Sequence, residues 1–367
     1  PKGSDQRGAR RLTLAFPEYA GWNWELADAR SLLATVTYLD QVLARPMLDS
    51  SDLIAHQLLT DLTRDYPIAS LRSSPVDLHS LLSSDGTPIP LRESACDLVW
   101  MRPLTREEQH QRYLHKYTHL SHYLEAGLTG QLGTGTPQYS STGRAYDGTR
   151  PGVWRISAER AGSLFDGQRL PSCLDGEWMS TPQVKCCQDT GYQIQVREGY
   201  YWQEAHTLLK QWATSLWQAG ERLHTHPQLY RHAQARTNAS RTITRLAQQG
   251  VTILAEEQTA GGWARPDWWA QIVGRSRATL FAHLVSLVRK GTMPVLIDRD
   301  AFWTASNDPN PLTAVPGLLT ASKWRGYTVG YEAPLPLSQE VKATFRTAEH
   351  ADQLAISLDR LTGEVFP

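Results

Sequence analysis

The stretch WWAQIVGRSRATLFAHLVSLVRKGTMPVLIDRDAFW, residues 268–303, decides the fold of this chain of 367 residues. Its first part predicts a long helix carrying Arg275 and Arg277, followed by a glycine turn and a short apolar strand. Asp298 and Asp300 close that strand, one residue apart. Because side chains alternate along an extended chain, the two carboxylates are expected to point to the same side.

Two carboxylates at the end of one strand indicate a site for a divalent cation. Carboxylate oxygens are the ligands that Mg²⁺ prefers, and a pair of such ions stabilises both the attacking and the leaving oxygen in nucleotidyl transfer. Asp298 and Asp300 are therefore the candidate metal ligands and catalytic residues. The alternative is that Asp-Arg-Asp is a polar turn after a buried strand.

Further elements are predicted on both sides of this stretch from apolar periodicity and turn residues. The predicted helices cover residues 28–44, 52–64, 106–126, 202–223, 227–249 and 266–290. The predicted strands cover 152–157, 192–196, 251–255, 294–297 and 327–331, and the apolar run 98–100 is assigned to a connection between domains. Helices and strands mixed in this order indicate an α/β (α+β) layered fold.

The charge of the chain limits the way in which it could hold a polyanion. Lysine plus arginine and aspartate plus glutamate both number 37, so any attraction must come from local clusters of arginine. Such a cluster is predicted on the helix 227–249. There Arg231, Arg241 and Arg245 fall within about 80° of arc, and Arg236 lies on another side. The alternative is an ordinary solvated helix face.

The lack of a predicted targeting signal and the spacing of the cysteines indicate a cytoplasmic protein. No membrane-spanning helix is predicted, because no run approaches 18 consecutive apolar residues, and the opening PKGSDQRGARR lacks the apolar core of a signal peptide. A chain that starts without Met in a connecting segment is expected to be processed, truncated or part of a larger polypeptide. The cysteines lack the C-x-x-C spacing of a zinc or redox site. We expect reduced packing residues at Cys96, Cys173, Cys186 and Cys187.

Histidine and tryptophan supply two further groups of candidate binding residues. His115, His119 and His122 would share one face of helix 106–126 and could bind a transition metal there; surface or capping roles are the alternative. The tryptophans clustered around Pro266 could stack on unpaired bases, or they could pack in the core.

The stretch 268–303 resembles the end of the palm domain in family B DNA polymerases. In that family a helix leads into a strand and the Asp-x-Asp of motif C, followed by a small residue and an aromatic one. The same order is present here as IVGRSRATL and LIDRDAFW, with Ala301 in the place of the small residue. Downstream, LLTASKWRGYTVGYEAPLP (318–336) is similar to the family's LGKWK-x-E strand.

Motif B of the same family, K-x-x-x-N-S-x-Y-G, is matched in position by RTNASRTIT (236–244). Arg236 stands at the lysine that contacts the incoming triphosphate, and a guanidinium can also hold phosphate. Ser240, Ile243 and Thr244 replace the asparagine, tyrosine and glycine. The resemblance therefore implies that the charge is kept and that the surface for a nascent base pair is lost.

Motif A is matched by THLSHYLEAGLTGQLGTGTP (118–137), which fits the frame D-x-N-x-x-Y-L-x-A and a following LG-x-G-x-P without a gap. Tyr123 and Leu124 take the Tyr-Leu positions, whereas the catalytic aspartate position falls on Thr118. A neutral hydroxyl is a poor ligand for Mg²⁺. The loss of this carboxylate implies a loss of several orders of magnitude in rate.

The resemblance spans about residues 107–335 and, more weakly, 21–50. It implies a palm-like sheet with helical fingers, preceded by a small, mostly helical remnant of an upstream exonuclease-like domain. The implied parts are an upstream remnant and linker at 1–105, a first palm part at 106–200, fingers-like helices at 201–265 and a second palm part at 266–367.

The function implied by the resemblance is that of a nucleic-acid-binding protein, catalytically impaired, of mobile-element or phage type and part of a larger complex with other protein subunits. Its expected partner is DNA or RNA, and Mg²⁺ is a doubtful cofactor. The residues expected to bind phosphate are Arg236, Arg231, Arg241, Arg245, Arg275 and Arg277. Two alternatives stay open: an active, divergent polymerase or nucleotidyltransferase that uses Asp298 and Asp300, and a purely structural scaffold for protein contacts.

Overall fold

The computed structural model describes residues 28–45, 47, 49–62, 78, 81–91, 98–159, 178–255, 265–318, 327–329 and 333–362. Predictions for the rest of the chain fall outside the described residues. These are the predictions for 1–27, 63–64, Cys96, Cys173, Trp263, 319–326 and 330–332.

The described residues form ten α-helices and twelve strands. In chain order the helices are α1 (Ala29–Val42), α2 (Ser51–Leu62), α3 (His122–Thr129), α4 (Thr181–Thr190), α5 (Lys210–Arg222), α6 (Ala233–Ala255), α7 (Pro266–Arg289), α8 (Pro311–Ala314), α9 (Gln339–Thr347) and α10 (Ala351–Leu361). The strands are β1 (Val99–Met101), β2 (Tyr113–Thr118), β3 (Leu132–Thr134), β4 (Gln138–Ser140), β5 (Gly152–Glu159), β6 (Trp178–Ser180), β7 (Gln193–Tyr201), β8 (Glu204–His206), β9 (Leu296–Asp298), β10 (Ala301–Ser306), β11 (Thr328–Val329) and β12 (Leu335–Pro336). This mixture confirms the predicted α/β (α+β) class.

The chain divides into two compact units. The first unit consists of the described residues up to Asp61 together with Ser215–Gly250, and the second of those in Leu62–Thr214 and Val251–Pro367. The finer division into remnant, palm and fingers stays a prediction.

In the first unit, α1 begins at a capping aspartate and packs through polar as well as apolar contacts. The Asp28 carboxylate accepts hydrogen bonds from the backbone N–H groups of Arg30 and Ser31, both at 2.8 Å, which satisfies donors that a helix start leaves open. The buried Tyr38 donates its hydroxyl hydrogen to the Ala219 carbonyl of α5, and its ring meets His226 edge-on with centroids 4.9 Å apart. Helix α1 is thereby fixed to the segment that leads into α6.

In the second unit, an antiparallel sheet brings distant parts of the sequence together. Its strand order is β1-β9-β10-β2-β11, and β12 also pairs with β2. All described pairings in it are antiparallel. Strand β2 is one of the inner strands, with its four central residues buried, so side chains on both of its faces contribute to the core.

A second, four-stranded sheet, ordered β4-β7-β5-β6, packs against helices α4 and α7. Helix α7 approaches the start of α4 closely at Gly274. A Cβ atom at that position would lie 2.0 Å from the Ser180 Oγ, which is far inside van der Waals contact. Only glycine lets the two segments approach this closely.

Four predicted elements are wrong in whole or in part. The helix predicted at 202–223 begins only at Lys210, because strand β8 occupies 204–206. The region 106–126 is not one helix, because β2 occupies 113–118 and α3 starts only at His122; pairing and burial on both sides of β2 outweigh the helical propensity of the sequence. The segment 251–255 is the last turn and a half of α6 rather than a strand, since Gly250 does not interrupt the helix. The run 98–100 belongs to β1 in the main sheet rather than to a connection.

Other predictions agree with the structure. The helices at 28–44, 52–64 and 266–290 and the strands at 152–157 and 192–196 are confirmed within a few residues. Cys186 and Cys187 are buried and not in a disulfide, as expected of packing residues. None of the described helices is long and apolar enough to cross a membrane.

Candidate functional site

The Asp-Arg-Asp segment forms the tight turn between β9 and β10. Asp298 is the last residue of β9 and pairs with Ala301, the first residue of β10, so that Arg299 and Asp300 form the turn. Arg299 has a φ of 54°, in the left-handed region, and its backbone N–H donates to the Leu98 carbonyl at 2.9 Å. The expectation that Asp298 and Asp300 both lie on one extended strand is therefore wrong, because β9 ends at Asp298 and the chain reverses before Ala301.

Thr118, the motif A position, is the residue of β2 that lies nearest to this turn. It pairs with Ala301 on one side and with Thr328 on the other. The next residue continues the contact, since the His119 N–H donates to the Asp300 carbonyl at 2.9 Å. The motif alignment predicts this proximity between Thr118 and the two aspartates.

The Asp300 carboxylate faces basic side chains of the protein. His122 on α3 lies with its Nε2 3.5 Å from Asp300 Oδ2, and the Asp300 side chain is 28% exposed. The other ring nitrogen of His122, Nδ1, is 2.6 Å from the Ser276 Oγ on α7. Burial acts to raise the pKa of Asp300, but the hydrogen bond and charge of His122 and the charge of Arg277 lower that pKa to about 2. Asp300 is therefore an anion at neutral pH.

A cluster of rings surrounds the end of β2. His119 Nε2 is 3.1 Å from Glu125 Oε1, and the His119 ring centroid is 5.1 Å from Tyr327 and 6.4 Å from His283. Burial raises the pKa of Tyr327 above its usual range. This cluster is not the predicted one: His115 and His119 lie in and after a strand, so the hypothesis of three histidines on one helical face is wrong.

The donor set next to the turn does not match what two divalent ions need. Asp298 and Asp300 are its carboxylates, and Thr118 contributes a neutral hydroxyl, whereas Mg²⁺ pairs are held mainly by carboxylate oxygens. Within the described part of the chain, no group of three or more His, Cys, Asp or Glu side chains has a geometry that could hold a metal ion.

The two arginines of α7 lie in different surroundings. Arg277 is 4% exposed and acts electrostatically on Asp300, so it faces the protein interior. Arg275 is half-buried, and its burial lowers the pKa of its guanidinium. Neither guanidinium is fully solvated, whereas an arginine that binds phosphate at a protein surface would normally be exposed.

The predicted arginine ridge is placed differently from the prediction. Helix α6 begins at Ala233, so Arg231 lies in the preceding turn rather than on the helix. Arg241 and Arg245 are four residues apart, which puts them about 40° apart on one face, and Arg236 is about 180° from Arg245. Arg236 donates from one guanidinium nitrogen to the carbonyls of Leu229 and Tyr230, both at 2.9 Å.

Two other residues that the sequence analysis singled out, Ile243 and Trp268, are buried in the protein interior. Ile243, at the motif B tyrosine position, is fully buried and packs in the core of the first unit. Trp268 is 1% exposed, and its indole N–H donates to the Gly133 carbonyl at 2.7 Å. The hypothesis that Trp268 stacks on bases is therefore wrong.

Ser276 and Tyr327 were missed by sequence reasoning, and His122 was singled out only as a possible transition-metal ligand. Their only sequence signal is indirect: Ser276 lies between the two arginines of the stretch 268–303, and His122 precedes the tyrosine of motif A. Neither position implies a contact with Asp300 by itself.

Comparisons with known proteins give a likeness of structure and none of sequence. No protein-family model and no curated protein matches the chain. The structure is similar to phi29 DNA polymerase complexed with primer-template DNA, a post-translocation binary complex, with a TM-score of 0.50 and 10% identity over 80% of this chain and 54% of that one. The orthorhombic crystal form of phi29 DNA polymerase gives a TM-score of 0.48 and 10% identity over 78% and 54% of the two chains.

The fold is similar to that of a family B DNA polymerase. The chain spans about half the length of the phi29 DNA polymerase structures that it matches. In this family B polymerase-like fold, the β9–β10 turn and the end of β2 bring together the residues that the motif C and motif A alignments single out. At an identity of 10% the likeness shows the fold alone.

Proposed function

We propose that this protein binds DNA or RNA on a family B polymerase-like fold without copying it. It would act in the cytoplasm as one subunit of a larger nucleic-acid-processing complex of mobile-element or phage type. In this proposal Asp298 and Asp300 are remnants of a metal site, and the binding of nucleic acid depends on arginines.

The observation that carries the proposal is which side chains lie next to Asp300 and what charge they have. The neighbouring position that would need a third carboxylate is Thr118. The Asp300 carboxylate itself lies 3.5 Å from His122 and interacts electrostatically with Arg277. The guanidinium of Arg277 reduces the attraction for a divalent ion, because it makes the charge next to the carboxylates less negative, whereas burial lowers the pKa of His122. Phosphoryl chemistry that depends on two metal ions is then disfavoured.

Local charge supports binding to a polyanion despite the neutral chain. From Arg222 to Ala255 the sequence contains five arginines and neither aspartate nor glutamate. Nucleic acid is attracted to such a segment through its phosphates, largely independently of base sequence.

Filter binding and primer extension on the same preparation test the proposal. Labelled single-stranded DNA, RNA and primed duplex are offered at low salt, with Mg²⁺ and deoxynucleotides or with a chelator. We expect retention of nucleic acid in both conditions and no extension of the primer. Asp300→Asn is the matched variant, and it should leave binding unchanged.

Two outcomes would contradict the proposal in different ways. Template-dependent extension that Asp300→Asn abolishes would show an active polymerase with a carboxylate ligand outside the recognised motifs. Failure to retain any of the three nucleic acids at low salt would favour a scaffold for protein contacts.

A further inference from the structure

Tyr230 is the most exposed of the large hydrophobic side chains that the structure describes. Its exposed fraction is 73%, whereas those of Leu312 and Ile356 are 61% and 52%. It lies in the turn between α5 and α6, inside the first unit and next to the exposed Arg231. An aromatic ring this exposed has given up most of the burial that normally stabilises such a side chain.

The backbone that carries Tyr230 is held firmly in place. Arg236, one turn into α6, donates from a single nitrogen to the carbonyls of both Leu229 and Tyr230 at 2.9 Å. The N–H of Tyr230 donates to the His226 carbonyl at 3.1 Å, and Leu229 is fully buried. The ring is therefore carried by an ordered backbone. Binding of a ligand to it would cost little backbone conformational entropy.

The chain segment that carries this turn has charged side chains of one sign, and an acidic group that acts on it electrostatically from the start of α1 is Asp28, through His232. Within the first unit, the segment after Glu221 contains five arginines, three histidines and no acidic residue as far as Gly250. Arg241 and Arg245 continue along α6 about 6 Å apart in helix rise. An exposed aromatic ring on a cationic surface is the combination that binds single-stranded nucleic acid, where bases stack and phosphates pair with arginine.

We propose that Tyr230 stacks on an unpaired base of a single-stranded nucleic acid whose phosphates lie against Arg231 and the arginines of α6. The inference rests on the proposed function and makes it more specific, because it names single strands as the preferred ligand. In a duplex both faces of each internal base are covered by neighbouring bases, so the ring of Tyr230 has no place to stack.

The test compares three ligands of the same length by fluorescence anisotropy at fixed salt: oligo-dT, an abasic strand with the same number of phosphates, and a duplex. Tyr230→Ala should weaken binding of oligo-dT by about 5- to 100-fold and leave the abasic strand and the duplex within about twofold. Tyr230→Phe keeps the ring and should bind oligo-dT like the unchanged protein. Leu312→Ala, an exposed apolar truncation in the second unit, is the matched control.

The outcomes separate this inference from the proposed function. Equal affinity of Tyr230→Ala and the unchanged protein for oligo-dT, or an equal loss for all three ligands, would overturn the stacking role and leave nucleic-acid binding intact. If the unchanged protein binds none of the three ligands at low salt, both proposals are wrong. Circular dichroism and thermal melting of each variant verify that the fold is retained.

Discussion

At the scale of single residues, the candidate centre differs from a metal site in the identity of three side chains. Thr118 stands where a carboxylate is expected, His122 lies 3.5 Å from the carboxylate of Asp300, and Arg277 acts on that carboxylate electrostatically. The place of Thr118 could be predicted from the sequence, because the motif A frame fits without a gap. The contact of His122 with Ser276 could not, because 154 residues separate them and only the packing of α3 on α7 brings them together.

Thr118→Asp should create a divalent-cation site that the unchanged protein lacks. The new carboxylate would lie beside Asp298 and Asp300 and supply the oxygen ligands that Mg²⁺ prefers. At an Mg²⁺ concentration about a hundred times the Kd, the variant should gain about 2–3 kcal/mol of stability, seen as a rise in Tm, while the unchanged protein shows no rise. Primer extension should stay low, because the motif B replacements remain.

Thr118→Asn, which has the shape of the aspartate without its charge, is the control for this experiment. An equal Tm response to Mg²⁺ in the asparagine variant and the aspartate variant would contradict the placement of Thr118 at the metal position.

At the scale of helices and strands, long periodic segments could be predicted and short buried ones could not. The helix 266–290 is long and amphipathic, so its periodicity is clear. Strand β2 has buried residues at four successive central positions, so it lacks the apolar-polar alternation of a half-buried strand. Two of these four residues, His115 and Lys116, are polar, so the segment has neither the alternation of a half-buried strand nor the apolar run of a fully buried one, which explains the error at 106–126.

Gly274→Ala should destabilise the second unit by separating α7 from the start of α4. The added methyl group would overlap the Ser180 Oγ, and overpacking of this kind costs about 1–3 kcal/mol. Urea unfolding should give a lower midpoint for the variant. Ser286→Ala, at an exposed position of the same helix, should stay within about 0.5 kcal/mol; a similar loss for both variants would contradict the contact.

The segment between β1 and β2 is fastened by an ion pair whose contribution depends on pH. Arg102 donates from Nη1 and Nη2 to the Glu108 carboxylate at 2.7 and 2.6 Å. Burial raises the pKa of Glu108, but the hydrogen bonds from Arg102 and Thr105 outweigh it and lower the pKa below its usual 4.5. A lowered pKa in the folded state means that the carboxylate stabilises the fold above pH 4.5 and that this stabilisation is lost as the pH falls through the folded pKa.

Glu108→Gln should therefore destabilise the protein by about 1–3 kcal/mol at pH 7, the value of a hydrogen bond to a charged group. The difference in urea midpoint between the two proteins should shrink as the pH is lowered below 4.5. A difference that is the same at pH 7 and at the lowest pH where both proteins fold would show that the charge of Glu108 is not the source of the stabilisation.

At the scale of the whole molecule, the balance of 37 basic and 37 acidic residues hides an uneven distribution. The fold likeness could be predicted from the order and spacing of three motifs, although no single motif identifies it. The division into two compact units could not, because it depends on which helices pack together: the first unit joins the described residues before Asp61 to Ser215–Gly250.

The salt dependence of nucleic-acid affinity should depend on the arginines of α6 rather than on the net charge of the chain. For single-stranded nucleic acid, the slope of log affinity against log salt is about −0.7 for each phosphate neutralised. Arg241→Ala with Arg245→Ala should therefore make the slope shallower by about 1.4. Arg236 is left unchanged, because it holds the turn at Tyr230.

Arg346→Ala is the control for the salt experiment, because this arginine is exposed on α9 in the second unit. A slope that changes as much in Arg346→Ala as in the double variant would mean that binding is spread over the whole surface.

The pairing of β1 with β9 also determines where the chain can be cut. A fragment starting at the predicted boundary near residue 105 would lack Val99–Met101, and the N–H and C=O groups of Leu296–Asp298 that face this strand would be left open. An unprotected strand edge can form backbone hydrogen bonds with strands of other molecules. Fragments that begin after residue 101 should therefore self-associate more during expression than those that begin before residue 98, in which Leu296–Asp298 stay paired with β1.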